Sequence, residues 1–301
     1  MARARPMGEW GARCLLAVVW LLHFLPLRVL AGLGWWLGGV AYGVAHRRRR
    51  IALRNLELCF PQRSVAEREA LAREHFRWLM RSLLERSLLW HASPARLRRL
   101  IHITGDVGLA DREERPVMWL VPHFVGLEVA GAAVQLFQQS RGFDIYQPQR
   151  NAVFDAALKR GRLRFGRAEA HARGVSIRKL MQRLRDGCSF FNMPDQDFGG
   201  KDASFVPFFG VPASTLLAPS RMARLMNMVV QPVVVTMLPG GQGWRVHFAP
   251  PLQGWPTDDA EADTRAMNAL FEQAIEAAPA QYLWVHKRFK TRPPGEPSLY
   301  G

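Results

Sequence analysis

The sequence predicts an α/β fold carried behind an apolar helical lead-in, and two observations point to it. Beyond residue 100, short apolar runs alternate with amphipathic stretches, the texture of strands and helices in turn. Ahead of that region, residues 14–45 read CLLAVVWLLHFLPLRVLAGLGWWLGGVAYGVA, interrupted only by His23, Pro26 and Arg28 as residues that a bilayer or a helix resists.

About 20 apolar residues cross a hydrocarbon core of ~30 Å. Residues 14–45 are long enough for one tilted or broken membrane helix, with Arg28 leaving a re-entrant arrangement as the alternative. The stretch is longer than the apolar part of a secretory signal, and no small-residue cleavage site precedes a soluble start. Residues 1–45 are therefore expected to be a membrane anchor. The cationic block His46-Arg47-Arg48-Arg49-Arg50 follows directly, which by the positive-inside tendency places the remainder in the cytoplasm. Arg3, Arg5 and Arg13 flank the other side, so orientation rests on the denser cluster. The block also suits anionic lipid head groups.

Residues 46–100 read as a helical lead-in on the membrane surface. Ile51, Leu53, Leu56, Leu58 and Phe60 recur at helical spacing before Pro61 stops the run. Ser64 with Glu67 forms a capping box that starts a second helix, with an apolar face running from Leu71 to Leu88. Its other face, with Arg68, Arg73, Arg77, Arg81 and Arg86 among Glu69, Glu74 and Glu85, reads as solvated. Across 101–301, strands are predicted at 117–121, 189–193, 229–237 and 244–248. Helices are predicted at 126–138, 153–164, 176–185, 214–226 and 258–278. No repeat or low-complexity linker interrupts them, so one α/β domain accounts for the region.

Charge narrows the partners. The 301 residues carry 41 Lys and Arg against 25 Asp and Glu, a net +16 that calls for an anionic surface or ligand. The Trp residues do not interleave with the Arg clusters, so a single-strand nucleic-acid platform is unsupported. Cys14, Cys59 and Cys188 are widely spaced and form no CxxC pair, which argues against a disulfide framework and a zinc site.

His123 follows the predicted strand at 117–121 and precedes a helix, the position where open α/β sheets place their sites. Glu128 lies five residues on. Within one continuous helix the two side chains would stand about 140° apart at 3.6 residues per turn. The pair therefore works only if His123 precedes the helix, leaving Glu128 in the first turn to hold Nδ1 and Nε2 free as a base. Nine His and 25 acidic residues in 301 give roughly 0.75 His-x4-acid matches by chance, so the pattern alone leaves a structural histidine equally open. There is no GxSxG elbow and no Walker A loop at Gly200-Lys201. Asp195, Asp197, Gly199 and Asp202 have the spacing of a calcium loop, but Val206 stands where that loop needs a bidentate Glu. No metal or cofactor is expected.

Further blocks add to His123 and Glu128. HFVGLE at 123–128, GRLRFG at 161–166, PDQDFG at 194–199, FVPFFG at 205–210 and HKRFKTRPPG at 286–295 occur in order. With them the chain resembles the late acyltransferases of lipid A biosynthesis, in particular the lauroyl-transferring type within the lysophospholipid acyltransferase superfamily. The resemblance implies a glycerolipid-acyltransferase-like fold, a mixed sheet flanked by helices with an N-terminal membrane helix. It implies that His123 is a base oriented by Glu128, and that the acceptor hydroxyl attacks a thioester held by acyl carrier protein. It also implies that Arg162 and Asp195 contact or position substrate. Many members carry YRP where this chain has Tyr146-Gln147-Pro148, so that arginine contact is either shifted to Arg150, three positions beyond Gln147, as a substrate-binding residue, or absent.

The expected reaction is transfer of a fatty chain to a hydroxyl of an anionic glycolipid acceptor, a lipid A precursor of the Kdo-lipid IVA type, on the cytoplasmic face of the bacterial inner membrane. Acyl carrier protein and the acceptor are both anionic, and the run Lys287, Arg288, Lys290 and Arg292 is available to either. Two alternatives stand beside it: acylation of another glycolipid or a lysophospholipid, and a basic membrane-binding protein without catalysis.

Overall fold

Residues 8–199 and 202–300 are described by a computed structural model. Arg3, Arg5, Gly200 and Lys201 lie outside the described residues. The apolar lead-in is broken at His23–Pro26 into α1 (Glu9–Leu22) and α2 (Leu27–Val44), since Pro26 cannot donate to a continuing helix. By length and composition α2 is able to cross a membrane, and about a third of it is buried against the protein. α3 (His46–Cys59) and the 27-residue α4 (Val65–His91) follow. The Ser64–Glu67 capping box forms as the sequence predicts.

α2 lies directly on α4. A Cβ added at Gly34 would fall 2.6 Å from the Arg81 Cα, and one at Gly38 would fall 2.2 Å from the Arg77 Cα. Two glycines one turn apart thus let the helix backbones touch. This changes the reading of the basic face of α4. Arg81 and Glu85 are buried and paired at 2.8 Å, and Trp244 Nε1 donates to Glu85 at 2.8 Å. The face is only partly solvated because α2 and the sheet cover it. The opposite side of α2 keeps Val29, Leu33, Trp36, Val40 and Val44 exposed, continuous with Trp10, Trp20 and Phe24 of the first helix region.

After the short α5 (Pro94–Leu100), the chain enters a seven-stranded mixed sheet. Its strands are β1 (Ile101–Gly105), β2 (Val117–Leu120), β3 (Gly142–Tyr146), β4 (Ala168–Ala172), β5 (Ser189–Asn192), β8 (Val229–Met237) and β9 (Trp244–Phe248). They lie in the order β1-β9-β8-β2-β5-β3-β4, parallel throughout except for the hairpin of β8 with β9. A separate hairpin pairs β6 (Ala203–Phe208) with β7 (Val211–Leu216). Flanking helices are α6 (Leu109–Arg112), α7 (Glu128–Phe137), α8 (Ala152–Arg162), α9 (Ile177–Arg185), α10 (Ala218–Leu225) and α11 (Ala260–Ala277). Every side chain of β2 is buried, as expected for a central strand covered on both faces.

The helix predicted at 214–226 starts later than the sequence suggested. Ser214 and Thr215 belong to β7, because they pair with Phe205 and Ser204 of β6 in the hairpin; Arg288 also reaches the Ser214 carbonyl at 2.8 Å and the Thr215 hydroxyl at 2.6 Å. Pro219 then opens the shorter α10.

Candidate active site

The site stands where the chain leaves the C-terminal ends of two neighbouring parallel strands. In the register of β2 with β5, Leu120 is level with Asn192. His123 and Asp195 each lie three residues further on, so two loops carry them out at the same height. His123 precedes α7, and Glu128 is the first residue of that helix. The His123 loop is pinned from behind: Val125 N donates to the Gln281 carbonyl at 2.8 Å, and Leu283 N donates to the His123 carbonyl at 3.0 Å.

His123 lies outside the helix, as the pairing with Glu128 required, yet Glu128 does not hold it. Nδ1 of His123 is 2.5 Å from Oδ1 of Asp195, and the His123 backbone N–H donates to Oδ2 of Asp195 at 2.8 Å. Asp195 is fully buried. Burial alone would raise its carboxyl, but the charge and two hydrogen bonds of His123, with Arg288 nearby, outweigh that and hold it below the ordinary aspartate value. A carboxylate accepts only, so Nδ1 carries the proton and Nε2 presents its lone pair. No hydrogen bond engages Nε2 among the described residues, and the His123 side chain stays 14% exposed.

The loop carrying Asp195 is itself braced. Asp197 accepts from Gly199 N at 2.9 Å, from Thr291 N at 2.5 Å and from Thr291 Oγ1 at 2.9 Å. Its own N–H donates to Nε2 of His286 at 3.3 Å. That nitrogen must therefore be unprotonated. Burial, followed by the charge of His123, holds His286 down at about 4, consistent with a neutral ring. Tyr282 is buried beside the same carboxylate, and burial and then the Asp195 charge push its hydroxyl well up.

Glu128 belongs to a second cluster. Nε of Arg162 donates to its Oε2 at 3.0 Å and Nη2 to its Oε1 at 2.5 Å, while Nη1 of Arg162 reaches Asp144 on β3 at 3.1 Å. Arg86 of α4 stands 3.9 Å from the same Glu128 oxygen. Burial would raise Glu128, but Arg162 and then Arg86 bring it down to about 2. Asp144 goes the other way. Burial, only partly offset by Arg162 and reinforced by the Glu128 charge, pushes it up to about 6. Arg162 is driven further up despite its burial, because two carboxylates face it. Its donors are thus directed inward, a geometric reason to correct the expectation of a free anion-binding arginine.

This cluster forms part of the wall of an apolar crevice between α7, the end of α8 and the sheet. The crevice is narrow, with a cavity volume of about 60 Å³. Leu127 and Met193, which lie within four residues of His123 and two of Asp195 in sequence, line it together with Trp119, Phe143, Phe165 and Phe191.

Residues 2–291 match the family described as bacterial lipid A biosynthesis acyltransferase. The chain belongs to that family. It is 37% identical over 288 residues to the lipid A biosynthesis palmitoleoyltransferase of Escherichia coli strain K12, covering 95% of this chain and 92% of the relative. It is 34% identical over 288 residues to the lipid A biosynthesis lauroyltransferase of the same strain, covering 95% and 93%. A lipid A biosynthesis acyltransferase of Haemophilus influenzae is 31% identical over 272 residues, covering 89% and 86%. As a member of this family the protein is an enzyme of acyl transfer.

In this lipid A acyltransferase the five sequence-predicted residues do not converge on one point. His123 joins Asp195, Glu128 joins Arg162, and Arg150 is exposed in the loop before α8, outside the crevice lining. Of the terminal basic run, Arg288 is buried on Ser214 and Thr215, and Arg292 is held by the Pro212 carbonyl and Glu296. Neither is available to an anionic partner; Lys290 is exposed. Sequence reading missed Asp144, Tyr282 and Arg86 as members of the site. His286 opens the block HKRFKTRPPG and was within reach, but Asp144 sits in a strand that gave no pattern of its own.

Proposed function

We propose that this protein transfers a fatty acyl chain from acyl carrier protein to a hydroxyl of a lipid A precursor of the Kdo-lipid IVA type, by direct attack with His123 as base. The observation that carries this reading is the buried Asp195 carboxylate on Nδ1 of His123, which leaves Nε2 without a hydrogen-bond partner among the described residues on a partly exposed side chain. The acceptor hydroxyl gives its proton to Nε2 as its oxygen bonds to the thioester carbonyl carbon. The imidazolium formed is stabilised by Asp195. As the tetrahedral adduct collapses, the carbon–sulfur bond breaks and the same proton passes to the departing thiolate. No covalent acyl-enzyme is required.

In this reading Glu128 and Arg162 form the polar rim of the donor site, with Glu128 placing Arg162 rather than His123. Exposed Arg150 and the His46–Arg50 block provide cations for the acceptor's phosphates and for acidic lipid. The reading takes 1–45 as an anchor, 46–100 as a surface lead-in and 101–301 as the catalytic region, with the reaction at the cytoplasmic face of the inner membrane. The exposed apolar side of α2, turned away from α4, supports a membrane on that flank.

The test is mass spectrometry of lipid A from a strain lacking this protein, complemented with wild type or with His123→Ala. Wild type should restore one acyl chain and the variant should not. Full restoration by His123→Ala would overturn the mechanism, and loss of a phospholipid chain instead would move the acceptor to another class. Replacing acyl carrier protein by coenzyme A as the donor carrier in a purified assay tests the donor.

A further inference from the structure

Three glycines line the crevice, and two of them are explained by packing. A Cβ at Gly142 would meet the Trp119 ring at 2.9 Å, and one at Gly161 would meet the Trp90 ring at 2.3 Å. Gly131 differs: a Cβ added there meets nothing within 4 Å, and its backbone is ordinary α-helix. A glycine inside a helix is less stable than alanine, because the unfolded chain loses more freedom. Neither backbone conformation nor close approach demands one at this position. What its missing side chain leaves is empty space in the crevice.

That space adjoins the Glu128–Arg162 cluster. Glu128, Gly131 and Gln135 are spaced i, i+3 and i+7 along α7, so they share one helix face and all three line the crevice. Beyond Gly131 the face closes on Gln135, whose Nε2 donates to the Gly131 carbonyl at 2.9 Å and the Arg162 carbonyl at 2.7 Å. Its side chain is therefore held in place. Leu127, Met193 and Gly131 share the crevice with aromatic walls, which suit methylene groups and offer few polar partners.

We infer that Gly131 sets the length of the transferred chain: the crevice takes the donor's hydrocarbon, and the absent side chain at 131 keeps its deeper part open. The inference rests on the acyl-transfer reading above.

The experiment uses purified full-length protein in detergent with acyl carrier protein thioesters from decanoyl to palmitoyl, competed in one reaction on the Kdo-lipid IVA acceptor. Gly131→Ala, Gly131→Val and Gly131→Leu are compared with wild type by mass spectrometry of the products. A pocket that loses one methylene of room discriminates by roughly 10- to 200-fold. The ratio of shorter to longer products should rise stepwise with side-chain size, by at least about tenfold for Gly131→Leu. An unchanged product ratio at wild-type rate in all three variants overturns the inference while leaving the reaction intact. If Gly131→Leu is inactive with every donor, Gly131→Ala decides, since a smaller helix-favouring residue keeps the fold; an unchanged ratio there also overturns it. Activity surviving in His123→Ala would instead overturn the reaction on which the inference stands.

Discussion

Nδ1 of His123 meets Oδ1 of Asp195 at 2.5 Å across 72 positions of sequence, because the register of β2 with β5 carries both residues three places beyond paired strand ends. Asp195→Asn keeps an oxygen for the His123 backbone N–H but removes the charge that stabilises an imidazolium. Turnover is expected to fall about 10²- to 10⁴-fold with KM little changed. Steady-state rates on protein of unchanged melting temperature check this, and turnover within twofold of wild type would remove Asp195 from the chemistry.

Arg162 joins two carboxylates in a site where its side chain is 21% exposed, that of Glu128 13% and that of Asp144 17%. Arg162→Ala strands both acids, so unfolding in detergent should become easier by about 3–5 kcal/mol. Arg162→Lys keeps the charge without the two-pronged geometry and should recover part of that loss. A melting curve for Arg162→Ala that overlays wild type would mean that the cluster adds nothing to stability.

Asp144 has a pH signature with a definite sign. Its carboxyl is pushed up to about 6 in the fold from an ordinary value of 3.8. Between those values the folded chain keeps a proton that the unfolded chain has lost. Its contribution to stability is therefore full below the ordinary value and lost as pH rises through about 6, a change of at most about 3 kcal/mol. His75 and His286, both held down at about 4 by burial, act in the opposite sense: their contribution is present above 6.5 and lost as pH falls through about 4. Relative to wild type, Asp144→Asn should gain stability as the solution is taken from pH 4 to pH 7. A difference that does not vary with pH would show that Asp144 titrates normally.

Gly38 lets α2 rest on the backbone of α4, with no room for a Cβ next to Arg77. Gly38→Val should separate the two helices and cost about 1–3 kcal/mol or more through overpacking. Gly39→Ala, where an added Cβ meets nothing within 4 Å, serves as the control and should keep or slightly raise stability, since alanine favours a helix over glycine. Equal melting temperatures for the two variants would refute this account of the contact.

Local pattern made the fold class legible: the β-rich runs that became β2, β5, β8 and β9, and the Ser64–Glu67 cap of α4, are visible in the sequence because each depends on neighbours in the chain. β1, β3, β4 and the β6–β7 hairpin were not, since HITG or AEAHA becomes a strand only when a neighbouring strand supplies its hydrogen bonds. The site divides in the same way. His123 was readable from its place after a strand, but its partner was not, because sequence spacing favoured the near acid Glu128 while strand pairing delivers the distant Asp195. Arg81 and Glu85 were read as solvated for the same reason: nothing local reveals that α2 will cover them.

The ties that hold the Asp195 loop and the chain behind it run to late parts of the sequence. Thr291 braces Asp197, and Asn55 of α3 holds the Trp284 and His286 carbonyls at 2.6 and 2.7 Å while accepting from the Tyr300 hydroxyl. During synthesis the apolar α1 and α2 emerge first and are free to meet the bilayer, whereas these braces exist only after Tyr300 has left the ribosome. A nascent chain stalled before that point would hold both apolar helices complete while the loop of Asp195 still lacked its late braces, so the apolar lead-in is finished before the candidate site is locked.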